Sequence, residues 1–319
     1  MAGKIETLDY YVSKALDFFE ERGNLTLELP ESSHTLVVGS QTGLLTGRII
    51  YRFDERKRSF SHAKEVLAQS EIDAKIDILK DGGDVTIVSA TGSRQVVDIA
   101  SYALEKGLRV NAIICNNESQ LKENFDGKIN VISYPKIKEP ATVNTATYGI
   151  MIQAVTHEKV SGIRREVESL KEPEGGYNQF KAFTVILTDS VPEVAEMVDW
   201  KLRGENIGRC VGTMATHLTN FMHGAAINDA DKELYIALGL TKEEKEVFGQ
   251  VLEPVPEERR HYIEVPADFG PLGFMMLGYS VVGQIQKNYD GFKNNISDYE
   301  QRAEKWKWLS PLCARKRTR

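Results

Sequence analysis

The amino-acid sequence predicts an α/β protein built from two doubly wound, parallel-sheet domains in tandem. Residues 85–117 place an apolar run, a hydroxyl-rich turn, an amphipathic helix and a second apolar run in succession, which predicts a right-handed βαβ unit. The same theme restarts after residues 170–176, where a proline, two glycines and charged residues interrupt the periodicity. We therefore expect an N-terminal helix and first domain over residues 1–170. A second domain with a C-terminal tail is expected over residues 171–319.

The first domain is predicted from its apolar periodicity. An amphipathic helix is expected at the N-terminus. Gly107 should end a helix that begins after the turn at residues 89–94, and Thr142 or Asn144 should cap a later helix. The polar stretch 56–70 is expected to carry a further strand end. Short β-branched runs predict buried strands at residues 36–39, 85–88, 110–115 and 129–134, and a further helix is expected at residues 44–53.

The second half of the chain repeats this alternation of strands and helices. Strands are expected at residues 183–187, 233–238 and 261–265, and helices at residues 191–203 and 271–285. Two similar α/β halves in one chain are typical of an internal duplication.

Composition narrows the classes of function. The net charge is −6, from 40 basic and 46 acidic residues, which argues against a general nucleic-acid binder. The sequence contains no long apolar span, so no membrane helix is expected, and the charged N-terminus does not resemble a signal peptide. The three scattered cysteines form no metal-binding spacing and no disulfide framework, which favours the reducing cytoplasm. The basic C-terminal tail is interpreted as a solvated end.

Two glycine- and hydroxyl-rich turns follow predicted strands of the first domain, at residues 39–42 and 89–94. Small side chains let a ligand approach backbone amides, and a turn that opens a helix after a parallel strand is a common anion site. The turn at residues 89–94 therefore predicts a phosphate site. The alternative at this stage is ordinary helix capping by serine or threonine.

Several segments match the pattern of one known family. They are Gly39-Ser40-Gln41-Thr42, Ser89-Ala90-Thr91-Gly92-Ser93-Arg94, Cys115-Asn116-Asn117, Glu205, and His223-Gly224 with Asp229-Ala230-Asp231. On these residues the chain, from about residue 30 to its end, resembles the double sugar isomerase (SIS) domain proteins. That family includes the isomerase half of glutamine–fructose-6-phosphate aminotransferase, archaeal phosphoglucose/phosphomannose isomerases, and sugar-amine deaminases and deglycases. The resemblance implies two flavodoxin-like domains and a phosphorylated sugar as substrate.

The resemblance also implies roles for individual residues. Glu205 would move a proton between carbons through an enediol, and His223 would open the sugar ring. Lys305 or Lys307 would polarise the carbonyl or form an imine with it. His217 has no counterpart in the family and is interpreted as structural. The sugar-phosphate-binding residues would be Gly39, Ser40, Gln41, Thr42, Ser89, Thr91, Gly92, Ser93, Arg94 and Thr142.

The family's sites lie between subunits, which implies a homodimer with composite active sites, and the chemistry needs no metal or other cofactor. The chain departs from the pattern at Arg94, where threonine is usual, and at Ala225, where proline is usual. A guanidinium at residue 94 would grip a phosphate, or another anion such as a carboxylate. The leading hypothesis is a phosphosugar aldose–ketose isomerase. The alternatives are a deaminase or deglycase of a 6-phosphorylated amino sugar or sugar–amine adduct, and a non-catalytic sugar-phosphate sensor.

Overall fold

The computed structural model describes residues 6–23, 25–29, 34–52, 57–62, 68–77, 79, 83–92, 94–140, 143–205, 213–224 and 232–288. The chain forms two compact units. The first contains Ser13–Arg164 and Asp268–Met276. The second contains Arg165–Ala267, together with the chain up to Val12 and from Leu277. No helix in these described ranges is long and apolar enough to cross a membrane.

The first unit is organised around five parallel strands in the order β2-β1-β3-β4-β5. This is the flavodoxin-like order, and it confirms the predicted doubly wound fold class. The central strands are apolar because helices cover both faces of such a sheet. The strands are β1 (His34–Gly39), β2 (Lys57–His62), β3 (Asp84–Ser89), β4 (Arg109–Ile114) and β5 (Asn130–Ser133).

Helices of the first unit bury alternate strand residues. Leu36, Val85 and Val110 point to one face of the sheet, where they pack in one apolar core with Ile72 and Ile99. Gly107 ends the helix of this core with φ 74°, as predicted. The helices are α1 (Leu8–Arg22), α2 (Thr42–Ile50), α3 (Ala68–Asp77), α4 (Arg94–Glu105), α5 (Gln120–Asn124), α6 (Thr145–Thr156) and α7 (Val160–Glu168).

The second unit holds four parallel strands in the order β7-β6-β8-β9, the same winding with one strand fewer. Its core packs Ile186 and Tyr235 against Phe221 and Phe248. The strands are β6 (Ala182–Leu187), β7 (Met214–His217), β8 (Glu233–Leu238) and β9 (Arg260–Ile263). The helices are α8 (Pro192–Trp200), a π-helical turn (Lys201–Glu205), α9 (Leu218–Gly224), α10 (Lys242–Val251) and α11 (Pro271–Asn288), with 3₁₀ turns at Tyr177–Gln179 and Glu257–Arg259.

One buried polar contact recurs in both units. In the first, the Thr35 hydroxyl donates to the Asp84 carboxylate at 2.6 Å. In the second, the Thr184 hydroxyl donates to the Glu233 carboxylate at 2.5 Å. In each pair the two residues are 49 positions apart in the chain. A buried carboxylate needs such partners. The same contact at the same spacing is what an internal duplication would leave.

Two carboxylates of the first unit bind the starts of α6 and α11, and residues 271–276 of α11 belong to that unit. Glu139 accepts hydrogen bonds from the amides of Ala146 (3.1 Å) and Thr147 (2.9 Å) at the start of α6. Asn144, one of the two expected caps, occupies the N-cap position, but its side chain makes no capping hydrogen bond. Glu158 accepts hydrogen bonds from three amides at the start of α11. They belong to Gly270 (3.0 Å), Leu272 (2.8 Å) and Gly273 (2.9 Å).

Candidate anion-binding site

The two predicted turns lie side by side at the switch point of the first sheet. β1 and β3 are neighbours, and Gly39 at the end of β1 is in register with Val88 near the end of β3. The chain winds from β1 to one side of the sheet and from β3 to the other, which opens a crevice at their carboxyl ends. The turns after β1 and β3 therefore border the same crevice.

The turn after β1 is tight and strained. A Cβ atom on Gly39 would lie only 2.5 Å from the amide nitrogen of Leu44, so α2 can begin this close only because residue 39 is glycine. Gln41 has φ 42° and ψ −114°, which is unusual for a residue with a side chain. Such strain is retained chiefly where function needs a particular backbone geometry, so it supports a binding role for this turn. Ser40 and Thr42 flank Gln41 and are half-buried.

The turn after β3 is held by its own serine. The Ser89 hydroxyl accepts a hydrogen bond from the Gly92 amide at 3.1 Å, so its proton remains free to be donated to a ligand. Ser89 is 9% exposed, whereas Thr91 is exposed. Local capping is thus a real function of Ser89, and it also gives the turn a fixed shape.

Residues that follow β4 brace this second turn. Gly92 has φ 59°, and a Cβ atom there would lie 2.8 Å from Cβ of Ser119. Asn116 donates to the carbonyl of Thr91 at 3.4 Å. Asn116 belongs to the segment that the resemblance singled out, whereas nothing in the sequence pattern marked Ser119. The backbone of residues 89–92 is therefore fixed by contacts on both sides.

Several predicted site residues fall outside this geometry. The backbones of Arg94 and Glu205 are described, as the first residue of α4 and the last of the π-helical turn, but their side chains are not. His223 lies on α9 and is exposed. The predicted site residues outside the described ranges are Ser93, Thr142, Lys305 and Lys307. Within those ranges, no group of histidine, cysteine, aspartate and glutamate could hold a metal ion.

The corresponding edge of the second sheet contains a carboxylate of the protein itself. Glu244 of α10 accepts hydrogen bonds from the Thr188 hydroxyl (2.9 Å) and the Asp189 amide (2.8 Å), both in the turn after β6. It also accepts from the amide of Thr241 at 2.8 Å, in a capping box that begins α10. Glu244 therefore uses three donors at this edge that could otherwise bind an external anion.

A second carboxylate at this edge bonds an imidazole. Asp189 accepts from the Thr219 amide (2.9 Å) and hydroxyl (2.6 Å), and its Oδ1 lies 2.7 Å from Nδ1 of His217. Burial acts to raise the pKa of Asp189, but the hydrogen bonds from Thr219 and His217 outweigh it and hold the pKa below its ordinary value. Asp189 is therefore ionised at neutral pH. The sequence analysis interpreted His217 as structural because it has no counterpart in the family, and no local pattern connects it to Asp189, which lies 28 residues away.

Comparison with known proteins relates this fold to sugar-phosphate enzymes. No family model matches the sequence, and no curated protein matches it. Among solved structures, the tagatose-6-phosphate ketose/aldose isomerase from Escherichia coli is similar with a TM-score of 0.61 and 13% identity, over 88% of this chain and 87% of that chain. The glucosamine-6-phosphate deaminase from Thermotoga maritima is similar with a TM-score of 0.55 and 15% identity, over 90% of this chain and 95% of that chain. At such identities the likeness shows a shared fold, which by itself does not fix a function.

Proposed function

We propose that the protein binds a phosphorylated sugar at the carboxyl edge of its first sheet and interconverts the aldose and ketose forms of that sugar. The observation that carries the proposal is the pairing of two turns, Gly39–Thr42 and Ser89–Gly92, at the switch point. Both turns combine close backbone approach with hydroxyl side chains. The resemblance of these turns to the SIS pattern and the likeness in fold to an isomerase support the same substrate class.

Phosphate suits these turns better than a neutral group does. The turn after β3 leads into α4, a 12-residue helix whose N-terminus carries partial positive charge. Ser89 and Thr91 add hydroxyl donors, and Arg94 opens the helix. In the second unit, Glu244 already uses the amides at the equivalent edge. The proposal therefore assigns one phosphate site to each chain, in the first unit.

The reaction needs a base that moves a proton between neighbouring carbons. We assign this role to Glu205, which would take the proton from the carbon next to the carbonyl, leave an enediolate, and return the proton to the adjacent carbon. His223 would open the sugar ring beforehand, and Lys305 or Lys307 would polarise the carbonyl. Deamination or deglycation of an amino sugar phosphate is the second candidate, favoured by the likeness in fold to a glucosamine-6-phosphate deaminase.

Turnover of hexose 6-phosphates by wild type and by Glu205→Gln tests the proposal. The variant should bind the substrate with unchanged affinity and lose about 10²–10⁴-fold in kcat, because the amide cannot accept the carbon proton. Glu246→Gln, an exposed change on α10, is the matched control and should behave as wild type. Near-normal kcat in Glu205→Gln would contradict the assigned base. Binding without turnover by the wild type would favour the sensor.

We further propose that the protein works as a cytoplasmic homodimer with composite sites. The reason is the SIS resemblance, in which the segment around His223 reaches across the subunit interface. Mixed dimers of a Glu205→Gln chain with a His223→Ala chain should then regain part of the activity that each variant lacks. Light scattering verifies the dimer, and no recovery in a verified mixed dimer would contradict the composite site.

A further inference from the structure

One residue offset aligns the two units with each other. Thr184 lies 149 positions after Thr35, and Glu233 lies 149 positions after Asp84, so the buried contact common to both units sets the alignment. Under this offset β3 and β8 begin and end at equivalent residues. The turn that follows β6 is therefore the counterpart of the turn after β1, and α10, which follows β8, is the counterpart of α4.

The same offset continues into these two helices. Ile99 of α4 lies in the apolar core of the first unit, and its counterpart on α10, Phe248, lies in the core of the second. α10 begins one residue earlier than α4 in this alignment, so the two chains differ only in the turn that joins strand to helix. Because the strands and the helix cores both agree, Glu244 is the counterpart of Gln95, the second residue of α4.

Glu244 places a carboxylate across the switch point of the second sheet. β6 and β8 are neighbours there, as β1 and β3 are in the first sheet. The bond from the Thr241 amide is ordinary capping of α10. Capping does not require the bonds from the Thr188 hydroxyl and the Asp189 amide, which reach Glu244 from the turn after β6. An anionic group is thus bound between the counterparts of the two turns to which we assign the phosphate.

We propose that the residue at this helix position decides whether a unit binds an external anion, and that Gln95 is a determinant of phosphate binding in the first unit. In the second unit, Glu244 supplies the anion from the chain itself. A glutamine at residue 95 carries no charge, so in the first unit the equivalent donors are left to the phosphate of a sugar. This inference rests on the proposed phosphate site of the first unit.

A second pair of equivalent positions differs in charge in the same sense. Asp189, in the turn after β6, corresponds to Ser40 in the turn after β1. The second unit therefore has carboxylates at both positions, which disfavour a phosphate, whereas the first unit has a hydroxyl and an amide. The alignment also assigns a phosphate donor, the backbone amide of Ser40, because the amide of Asp189 donates to Glu244.

Gln95→Glu gives the first unit the carboxylate of the second. Calorimetric titration uses whichever of tagatose 6-phosphate, fructose 6-phosphate and glucose 6-phosphate the wild type binds most tightly. The variant should bind that sugar phosphate about tenfold to a hundredfold more weakly, as for the loss of a charge-assisted hydrogen bond. Its urea unfolding midpoint should not fall, since an acidic residue in the first turn of a helix is favourable.

Two control variants separate occupation of the site from other effects. Gln95→Ala removes the side-chain amide without adding charge, and it should bind the sugar phosphate as wild type does. Gln120→Glu adds the same charge at an exposed residue that begins α5, and it should weaken binding less than Gln95→Glu. In the wild type, the amide resonance of Ser40 in a ¹H–¹⁵N spectrum should shift when the sugar phosphate is added.

Four results overturn the inference. Wild-type affinity in a folded Gln95→Glu protein refutes the role of residue 95 and leaves the proposed function intact. Equal losses of affinity in Gln95→Glu and Gln95→Ala show that charge is not the cause. A Ser40 amide resonance that is unchanged by a bound sugar phosphate refutes the alignment of donors, even if Gln95→Glu fails to fold. Absence of binding of all three sugar phosphates by the wild type refutes the proposed phosphate site, and this inference with it.

Discussion

Gly92→Ala should weaken the binding of phosphate and lower the free energy of unfolding, and the two effects can be measured separately. Residue 92 has φ 59°, and an L-residue in this left-handed region costs about 1–2 kcal/mol. The new methyl group would also lie 2.8 Å from Cβ of Ser119, whereas carbon atoms pack at about 3.5–4.0 Å. The turn must therefore move by roughly 0.7–1.2 Å. A shift of that size takes donors out of hydrogen-bonding range of a bound phosphate, since such bonds are about 2.7–3.2 Å long.

Gly107→Ala is the matched control. Residue 107 has φ 74°, but no atom lies within 4 Å of a Cβ atom built there. Gly107→Ala should therefore lose about 1–2 kcal/mol of stability from the left-handed backbone conformation, without moving any turn. The difference between the two variants isolates the contact with Ser119.

Urea unfolding and calorimetric titration with tagatose 6-phosphate measure the two effects. Both variants should lose stability, and Gly92→Ala should lose more. Only Gly92→Ala should lose affinity, by about tenfold to a hundredfold, as expected for the loss of one charge-assisted hydrogen bond of about 1.5–3 kcal/mol. Wild-type affinity in a folded Gly92→Ala protein would refute the assignment of this turn to the anion.

Three further predictions concern stability. Glu158→Gln should cost about 1–2 kcal/mol in urea unfolding, because three amides at the start of α11 lose a charged acceptor, whereas the exposed change Glu105→Gln should cost little. Asp84→Ala should cost about 2–4 kcal/mol, because it leaves two buried donors unsatisfied; an undiminished unfolding midpoint would contradict this. Because the pKa of Asp189 is lowered in the native state, its carboxylate stabilises the fold above about pH 4, and this contribution is lost as the pH falls through the lowered pKa. The free energy of unfolding of Asp189→Asn should therefore fall less steeply in acid than that of wild type. If the two plots of unfolding free energy against pH are parallel, the pKa of Asp189 is not lowered.

The central strands of both sheets could be predicted because burial on two faces requires continuous apolar runs. Residues 85–88 and 233–238 are such runs, and the structure has strands at Asp84–Ser89 and Glu233–Leu238. β7 (Met214–His217) was missed because it is an edge strand, only four residues long, and only Ala215 of it is buried. An edge strand has one neighbour and no need for an apolar run.

Helices α3, α5, α7, α9 and α10 were also missed. In α7 and α10 the reason is that about half of the residues are charged, which leaves a narrow apolar face. The start of α10 was nevertheless recognisable, since Thr241 and Glu244 have the spacing of a capping box. The sequence predicted a helix at residues 44–53, but α2 begins two residues earlier, at Thr42. The start was missed because the N-cap residue is the strained Gln41, whose side chain makes no capping hydrogen bond.

The candidate sites differ in how much of each could be predicted from the sequence alone. The turns at residues 39–42 and 89–92 are contiguous in sequence, and the rule that parallel strands present such turns at one edge brings them together. The pair of Asp189 and His217 depends on the register of β6 with β7, which no local pattern contains. The contact between Gly92 and Ser119 likewise depends on the packing of the turns after β3 and β4.

The most direct test of the account is a calorimetric titration of one sugar with and without its phosphate. Tagatose 6-phosphate and tagatose differ only in the group that the turns of the first unit are proposed to bind. We expect the phosphorylated sugar to bind at least about a hundredfold more tightly, because two charge-assisted bonds of about 1.5 kcal/mol each already amount to that ratio. Gly92→Ala should remove most of this difference in affinity. Equal affinity for the two sugars would contradict the phosphate site and the isomerase function built on it.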